Sequence, residues 1–315
     1  MTGAEPATFP APADALEALR ATVNAQLVGK AEVVDLALTA VLAGGHLLLQ
    51  DIPGVGKTTL ASALAAAVGG RFARVQFTSD LLPGDLVGVN VLDPATGTFG
   101  FRAGPLFANV VLADEINRTT PKTQSALFEA MEERQVTVDG ETRRLPEPFF
   151  VVATQNPFDA HGTFALPESQ LDRFLMRLSI GYPDRATERS ILRRVARAAP
   201  EAVLTPDALL ALIAATAETP MPEIVEEYLL DVVEATRTDA GLVRGVSTRG
   251  AQALHRAVRA LAVVEGRAYP EFEDVRRLVV PVFAHRLVAR GGHGPGDAAT
   301  VERLHTLLDT IPSPL

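Results

Sequence analysis

The chain has 315 residues, of which 47% are hydrophobic and 21% charged, and its formal net charge is −9. This length exceeds one average domain, so we expect two domains with sizeable cores. The negative balance argues against a general nucleic-acid-binding surface, and the lack of cysteine excludes disulfides and thiolate metal sites. The N-terminus has no signal-peptide pattern, and the longest uncharged stretch is too short to span a bilayer. We therefore expect a cytoplasmic protein.

The segment before the first strand divides into an arm and two helices. We predict an N-terminal arm over residues 1–20, because the chain up to Ala13 is rich in Ala, Pro and Thr. From Asp14 to Leu42, apolar residues recur at helical spacing. The pair Val28-Gly29 interrupts them, which indicates a turn between two helices.

A phosphate-binding loop follows. The apolar run Leu47–Leu49 is typical of a buried strand, Pro53–Gly56 breaks it, and Lys57-Thr58 opens an Ala- and Leu-rich helix. This order predicts a cradle in which backbone N–H groups and Lys57 hold phosphates while the Thr58 hydroxyl holds Mg²⁺. The usual pattern begins with Gly where this chain has Asp51; Asp tolerates a left-handed backbone better than most residues, so the loop need not collapse.

The first half of the chain alternates short apolar runs with helical segments, which is typical of a parallel sheet with helices on both faces. Two hairpins are predicted as insertions, one near residues 86–101 and one over 135–145, where Asp139-Gly140 separates alternating residues. The predicted strands are Leu47–Leu49, Val75–Phe77, Val110–Ala113, Phe149–Thr154 and Leu175–Ile180.

After Tyr182-Pro183 the pattern changes to helices with few strand signals between them. We place a domain boundary near residues 183–200 and predict an all-helical second domain. Its predicted helices are Ala186–Ala199, Pro206–Thr216, Glu223–Thr238, Thr248–Glu265 and Glu273–Leu287.

Three polar residues end the predicted strands. Asp114 and Glu115 follow Val110–Ala113, so Asp114 is expected to orient Mg²⁺ and Glu115 to polarise the attacking water as general base. Asn156 ends the next strand, and ligands of parallel sheets bind beyond the carboxyl ends of the strands. The alternatives are two solvated acids in a loop and a turn-initiating Asn before Pro157.

These motifs together resemble the MoxR family of AAA+ ATPases over roughly residues 27–286. The resemblance implies an α/β fold: an AAA+ P-loop core with a parallel five-stranded sheet flanked by helices, and a C-terminal all-helical lid domain. With the boundary placed above, we assign residues 21–190 to the core and 191–315 to the lid. The resemblance rests on residues 51–58, 76–78, 80–83, 104–108, 112–118, 153–157, 162–163, 166–168 and 171–174.

The resemblance also implies roles that local spacing does not supply. Arg173 matches an arginine finger presented to the neighbouring subunit's ATP, and Arg249 resembles a second sensor that reaches the γ-phosphate from the lid. Thr248 stands where the family often has proline, and we interpret His161, at an often acidic position, as a loop residue. With ATP and Mg²⁺ as cofactors, the predicted nucleotide-binding residues are Val28, Gly29, Pro53, Gly54, Val55, Gly56, Lys57, Thr58, Thr59 and Asp114, with Thr58 and Asp114 also on the metal.

The function that this resemblance implies is ATP hydrolysis in a homo-oligomeric, hexameric ring that remodels or matures a protein partner, with a von Willebrand factor A-domain protein as the expected partner. The two hairpins would face the pore or the partner. The alternatives are a magnesium-chelatase-like metal-insertion motor, a DNA-translocating ring and a nucleotide-gated scaffold without turnover. No nucleic-acid partner and no transmembrane segment are expected.

Overall fold

The computed structural model describes residues 12–156, 163–193 and 200–313. Two helices come first, α1 (Pro12–Gln26) and α2 (Ala31–Leu42), which pack on each other. Leu16 and Leu19 of α1 are buried in the main core, so the arm predicted over residues 1–20 is too long. The apolar spacing of α1 already begins within that segment, and burial of this face keeps it helical.

The α/β core is a parallel sheet of five strands, which confirms the predicted sheet; their order across the sheet is β2 (Phe72–Gln76), β5 (Val110–Asp114), β8 (Phe150–Gln155), β1 (His46–Gln50) and β9 (Phe174–Leu178). All of its strands except the edge strand β2 are buried on both faces. Successive side chains point to opposite sides, so Leu47 and Leu49 enter one hydrophobic cluster and Leu48 the other. In chain order the elements are β1 (His46–Gln50), α3 (Lys57–Ala67), β2 (Phe72–Gln76), α4 (Pro83–Val87), β3 (Gly88–Asp93), β4 (Thr98–Ala103), β5 (Val110–Asp114), α5 (Pro121–Glu133), β6 (Gln135–Val138), β7 (Glu141–Arg144), β8 (Phe150–Gln155), α6 (Glu168–Leu171), β9 (Phe174–Leu178) and α7 (Arg185–Arg193).

Two antiparallel hairpins, β3–β4 and β6–β7, project from this core within a few residues of the predicted ranges. Asp139 and Gly140 both have positive φ, 51° and 82°, as a two-residue hairpin turn requires. The hairpins contact each other: Asn90 Nδ2 donates to Asp139 Oδ2 at 2.7 Å, and the Arg143 guanidinium lies 4.0 Å from the centre of the Phe101 ring. They therefore form one connected surface feature.

In the C-terminal part, residues 200–313, the regular elements are helices, and one isolated bridge joins Leu242 to Ala289. α7 is described only to Arg193, so residues 194–199 of the predicted helix lie outside the described residues, and the domain boundary at residue 190 stays a prediction. Within the described ranges, no helix is long and apolar enough to cross a membrane. The helices are α8 (Pro206–Ala217), α9 (Glu223–Thr238), α10 (Thr248–Val264), α11 (Phe272–Phe283) and α12 (Ala298–Thr310), with a 3₁₀ turn over Ala284–Arg286.

A buried histidine joins β1 to two neighbouring elements. His46 is 4% exposed; its Nδ1 accepts the Val151 N–H at 3.0 Å, which leaves the proton on Nε2 to donate to the Met131 carbonyl at 3.1 Å. Burial, followed by the charge of Arg134, lowers the pKa of His46 from its ordinary value of 6.5 to about 3. The ring is therefore neutral in the folded protein at any pH above that value.

This histidine makes the fold sensitive to acid. Below pH 6.5 the unfolded chain binds a proton at His46 that the folded chain does not bind until about pH 3, so stability falls as the pH falls through this window. At pH 5 the loss is about 2 kcal/mol. Urea unfolding at pH 7 and pH 5 should show that His46→Gln loses less stability than the wild type over this step. The exposed His305→Gln should match the wild type, and an identical loss in His46→Gln would contradict the assignment.

Candidate active site

The loop between β1 and α3 lines a cavity of about 330 Å³ at the carboxyl edge of the sheet. Gly54 and Gly56 have φ values of 85° and 108°, a left-handed backbone that glycine adopts without a steric penalty. Gly56 directly precedes α3, and a helix N-terminus leaves backbone N–H groups available for an anion. Lys57 Nζ donates to the loop carbonyls of Asp51 at 2.9 Å and Ile52 at 3.3 Å. The loop thus has the form of the predicted phosphate cradle.

Asp51 has a different role from the one its backbone tolerance suggested, because it is not among the residues with positive φ. Its buried carboxylate accepts hydrogen bonds from the Ser179 hydroxyl at 3.1 Å, from the Ile180 N–H and from the Gly181 N–H at 3.3 Å. A carboxylate at the first loop position therefore ties the phosphate loop to the segment that leaves β9 for the lid. A glycine there could not make these bonds.

The acidic pair at the end of β5 is held by residues that the sequence interpretation missed. Asp114 is buried; its Oδ1 accepts from the Thr154 hydroxyl at 3.0 Å and its Oδ2 from Arg74 Nε at 2.8 Å. β5 and β8 pair with Ala113 opposite Ala153, which places Thr154 beside Asp114. The pairing register of β5 and β8 would have indicated Thr154 from the sequence. Arg74 lies on β2, the strand on the other side of β5.

Glu115 is one of three described non-glycine residues with positive φ, at 57°. Its N–H donates to the Thr154 hydroxyl at 2.9 Å, and its Oε2 contacts Gln76 Nε2 at 3.2 Å and Arg118 Nε at 2.8 Å. A left-handed backbone in a side chain of this size is found where surrounding contacts impose it, often at functional sites. The carboxylate is thus held at the cavity that Lys57 lines.

The residues at this cavity fit Mg²⁺. Thr58 and Asp114 line it together with Lys57 and supply a hydroxyl and a carboxylate, the hard oxygen ligands that this ion prefers. Arg74 forms an ion pair with Asp114 Oδ2, so a Mg²⁺ ion bound to that oxygen would share it with the Arg74 guanidinium.

Two further predicted groups lie near this edge. Asn156 directly follows β8, whose last residue, Gln155, accepts the Asp51 N–H at 3.3 Å, so Asn156 is next to the phosphate loop. The Val28-Gly29 turn lies between the loop and α7: a Cβ on Gly56 would meet Leu27 at 2.8 Å, and one on Gly29 would meet Thr187 at 2.6 Å. His161 lies outside the described residues.

The two predicted arginines lie elsewhere and meet at one carboxylate. Arg173 Nη2 contacts Glu132 Oε2 at 3.0 Å, and Arg249 Nη2 contacts Glu132 Oε1 at 2.7 Å. They line a cleft of about 800 Å³ between core and lid that shares no lining residue with the cavity at Lys57. The implied reach of Arg249 to the γ-phosphate is therefore not seen within one chain.

The sheet register explains this separation. Phe174, the residue after Arg173, pairs with His46 at the start of β1, whereas the phosphate loop follows the end of that strand at Gln50. A strand rises about 3.3 Å per residue, so the four steps from His46 to Gln50 alone separate Arg173 from the loop by roughly 13 Å along the strand direction. Within one chain, the phosphate loop lies at the carboxyl ends of the parallel strands, and Arg173 lies at the amino end of β9.

One cavity brings together the glycine loop before Lys57, the Thr58 hydroxyl, the Asp114 carboxylate and Glu115, an arrangement typical of P-loop ATPases of the AAA class. Residues 46–176 match the sequence model of the "ATPase family associated with various cellular activities (AAA)", and residues 234–304 match that of the "AAA lid domain". The fold and these matches agree on a nucleotide-binding core followed by a helical lid.

Comparison with individual proteins narrows the class. The chain is 45% identical to Bacillus subtilis YeaC over 270 residues, 84% of each chain, and 40% identical to chaperone MoxR1 of Mycobacterium tuberculosis over 273 residues, 83% of this chain and 72% of that one. The crystal structure of a candidate ATPase from Cytophaga hutchinsonii superposes with a TM-score of 0.87, at 32% identity and 96% coverage of both chains. The chain belongs to the MoxR family of AAA+ ATPases, and its general kind of activity is that of an AAA ATPase.

Proposed function

We propose that the protein hydrolyses ATP between subunits of a hexameric ring and uses the resulting movement to remodel or mature a protein partner. The observation that carries the proposal is the separation of two half-sites. Lys57, Thr58, Asp114 and Glu115 line one cavity, while Arg173 and Arg249 lie in another cleft beyond the opposite edge of the sheet. In a ring, the half-site of one subunit that contains Lys57 would face the half-site of the next subunit that contains Arg173 and Arg249.

In the first half-site, α3 and Lys57 bind the phosphates of ATP, and Lys57 exchanges the Asp51 and Ile52 carbonyls for phosphate oxygens. Thr58 and Asp114 would hold Mg²⁺, which when bound neutralises charge on the β- and γ-phosphate oxygens. Glu115 accepts a proton from the attacking water. The water oxygen bonds to the γ-phosphorus as the bond to the β–γ bridging oxygen breaks, so ADP and inorganic phosphate leave.

Arg173 supplies the second half-site from the neighbouring subunit, with Arg249 beside it. Both guanidinium groups share the single carboxylate of Glu132 in this structure. Phosphate oxygens offer more negative charge than one carboxylate, so both cations are suited to leave Glu132 for a neighbour's nucleotide. Hydrolysis would then depend on assembly.

The partner would be engaged through the two hairpins. β3–β4 exposes apolar side chains, including Val91, which is 47% exposed, and Phe99, which is 73% exposed. Exposed apolar side chains grouped on one projecting element are typical of an interaction surface. A von Willebrand factor A-domain protein is the partner that the family resemblance suggests, and MoxR1, the relative in Mycobacterium tuberculosis, is named a chaperone.

Replacing Lys57 with alanine tests the first half-site. A charge-assisted hydrogen bond contributes about 1.5–3 kcal/mol, so ATP affinity should fall by roughly 10- to 150-fold for each bond lost. Titration calorimetry of Lys57→Ala, with the exposed Lys122→Ala as control, measures this change. Equal melting temperatures would show that the fold is intact. Undiminished affinity in Lys57→Ala would contradict the proposed nucleotide site.

A further inference from the structure

The buried arginine of the 3₁₀ turn after α11 contacts the chain on both sides of Arg173. The Arg286 side chain is 4% exposed, and its Nη2 donates to the carbonyls of Asp172, at 3.2 Å, and Phe174. Its Nε donates to the Asp172 carboxylate at 2.7 Å. The residues immediately before and after Arg173 are thus bound by one guanidinium group.

The remaining N–H groups of Arg286 are also used. Nη1 donates to the Leu175 carbonyl at 3.1 Å and to the Val282 carbonyl. Nη1 also contacts His285 Nε2 at 2.7 Å, so the five N–H donors of the guanidinium face five oxygen acceptors and one ring nitrogen. Burial lowers the pKa of Arg286 to about 10 and the charge of Asp172 opposes this shift, so the group stays protonated at neutral pH. A buried charge whose hydrogen bonds are satisfied in this way makes the segments around it rigid.

The same group also touches the helix that carries Arg249. A Cβ on Gly250 would lie 3.2 Å from Arg286 Cδ, so the first turn of α10 packs directly against the arginine. Ser247, the N-cap of α10, donates to the other Asp172 carboxylate oxygen at 3.5 Å. Arg286 and Asp172 therefore lie between the two segments that present Arg173 and Arg249.

We propose that Arg286 is a positioning residue that holds Arg173 and Arg249 at a fixed mutual spacing, so that both reach the neighbouring subunit's nucleotide together. The inference rests on the proposed function, because it gives the two arginines their target. Arg286 itself does not touch the nucleotide. It acts through the Asp172–Phe174 backbone and through the packing of α10.

The alternative is that Arg286 only fastens the lid to the core. Arg276 offers a control, because it is a partly buried arginine of the neighbouring α11 whose three hydrogen-bond partners all lie in the lid: Tyr228, Leu308 and Asp309. Arg276→Gln should lower the melting temperature without changing kcat per assembled ring. Arg286→Gln should lower both.

The test compares Arg286→Gln with Arg173→Ala and Glu115→Gln subunits. Misplacement by about 1 Å can cost 10²-fold in rate, so kcat of Arg286→Gln should fall by roughly 10- to 100-fold while the Kd for ATP stays within about twofold. Mixing Arg286→Gln with Glu115→Gln subunits, which keep their own arginines, should restore hydrolysis. Mixing Arg286→Gln with Arg173→Ala subunits should not restore hydrolysis, because neither subunit then supplies a correctly positioned Arg173.

Three results separate the possible failures. Wild-type kcat in Arg286→Gln, with Arg173→Ala inactive, would overturn this inference alone. Absence of restoration by Glu115→Gln subunits, when these do restore Arg173→Ala, would also overturn it, since the defect would not lie in the donated arginines. Wild-type activity in Arg173→Ala would overturn the proposed function and this inference with it.

A milder variant covers the case in which Arg286→Gln does not fold. Asp172→Asn keeps an acceptor for Arg286 Nε and leaves the backbone bonds in place while removing the charge. It should show the same mixing pattern with a smaller fall in kcat. A normal kcat in a folded Asp172→Asn ring, with Arg286→Lys also normal, would overturn the inference.

Discussion

Replacing Arg173 with alanine is expected to reduce ATP hydrolysis by about 10³- to 10⁵-fold, the range found for arginines supplied to a phosphoryl-transfer site. ATP binding should change little, because Lys57 and the phosphate loop are at the other edge of the sheet. The physical reason is that negative charge on the γ-phosphate oxygens grows in the transition state. A cation placed there stabilises that state more than bound ATP.

The experiment measures steady-state hydrolysis and ATP affinity of Arg173→Ala beside Arg303→Ala. Arg303 pairs with Asp239 inside the lid and lines neither cavity, so its loss should leave the rate unchanged. Adding Glu115→Gln subunits to Arg173→Ala should restore part of the activity, because the added subunits donate an intact Arg173. If no mixture restores hydrolysis, the proposal that Arg173 acts on the ATP of a neighbouring subunit is refuted.

Replacing Glu115 with glutamine is expected to leave ATP bound but slow its hydrolysis by about 10²- to 10⁴-fold, the usual contribution of a general base. Glutamine preserves the shape of the side chain and removes its ability to accept a proton from water. The contacts with Gln76 and Arg118 show that the carboxylate is held in place and that a side chain of equal length fits there.

Single-turnover hydrolysis and nucleotide affinity should be measured for Glu115→Gln and for Glu227→Gln, whose glutamate is exposed on α9. The first should retain ATP for many times longer than the wild type, and the second should turn over normally. Wild-type turnover in Glu115→Gln would remove Glu115 as the base. In the proposed ring, this change would prolong the ATP-bound state, from which a protein partner is most readily isolated.

Much of the core could be predicted because its signals are local. The apolar run Leu47–Leu49, the glycines of the phosphate loop and the Asp139-Gly140 turn each specify backbone geometry within a few residues. The five-stranded sheet could be predicted because short apolar runs alternate with helical segments along the first half of the chain. The helical spacing from Asp14 agrees with α1, but the arm predicted over residues 1–20 overlaps that helix, and only the packing of Leu16 and Leu19 in the core assigns them to α1.

The candidate site was predicted less completely, because several of its contacts depend on distant segments. Thr154 and Arg74 reach Asp114 only through the order and register of β2, β5 and β8. The bonds of Asp51 to the end of β9 cross more than half of the core sequence. That Arg173 and Arg249 share Glu132 requires the lid to be placed on the core, which no local pattern specifies.

Helix α5 has a consequence for how events in one subunit could reach the next. It begins just after the Glu115–Arg118 turn, and its last turn contains Glu132, directly before the β6–β7 hairpin. A helix of 13 residues is a stiff rod of about 20 Å. If nucleotide binding tilts the first turn of α5, the last turn must move with it, and that turn carries Glu132, which pairs with Arg173 and Arg249, and leads into the β6–β7 hairpin. In the proposed ring, the nucleotide of one subunit would thus move the arginines that the same subunit presents to the next, so the coupling would run in one direction around the ring.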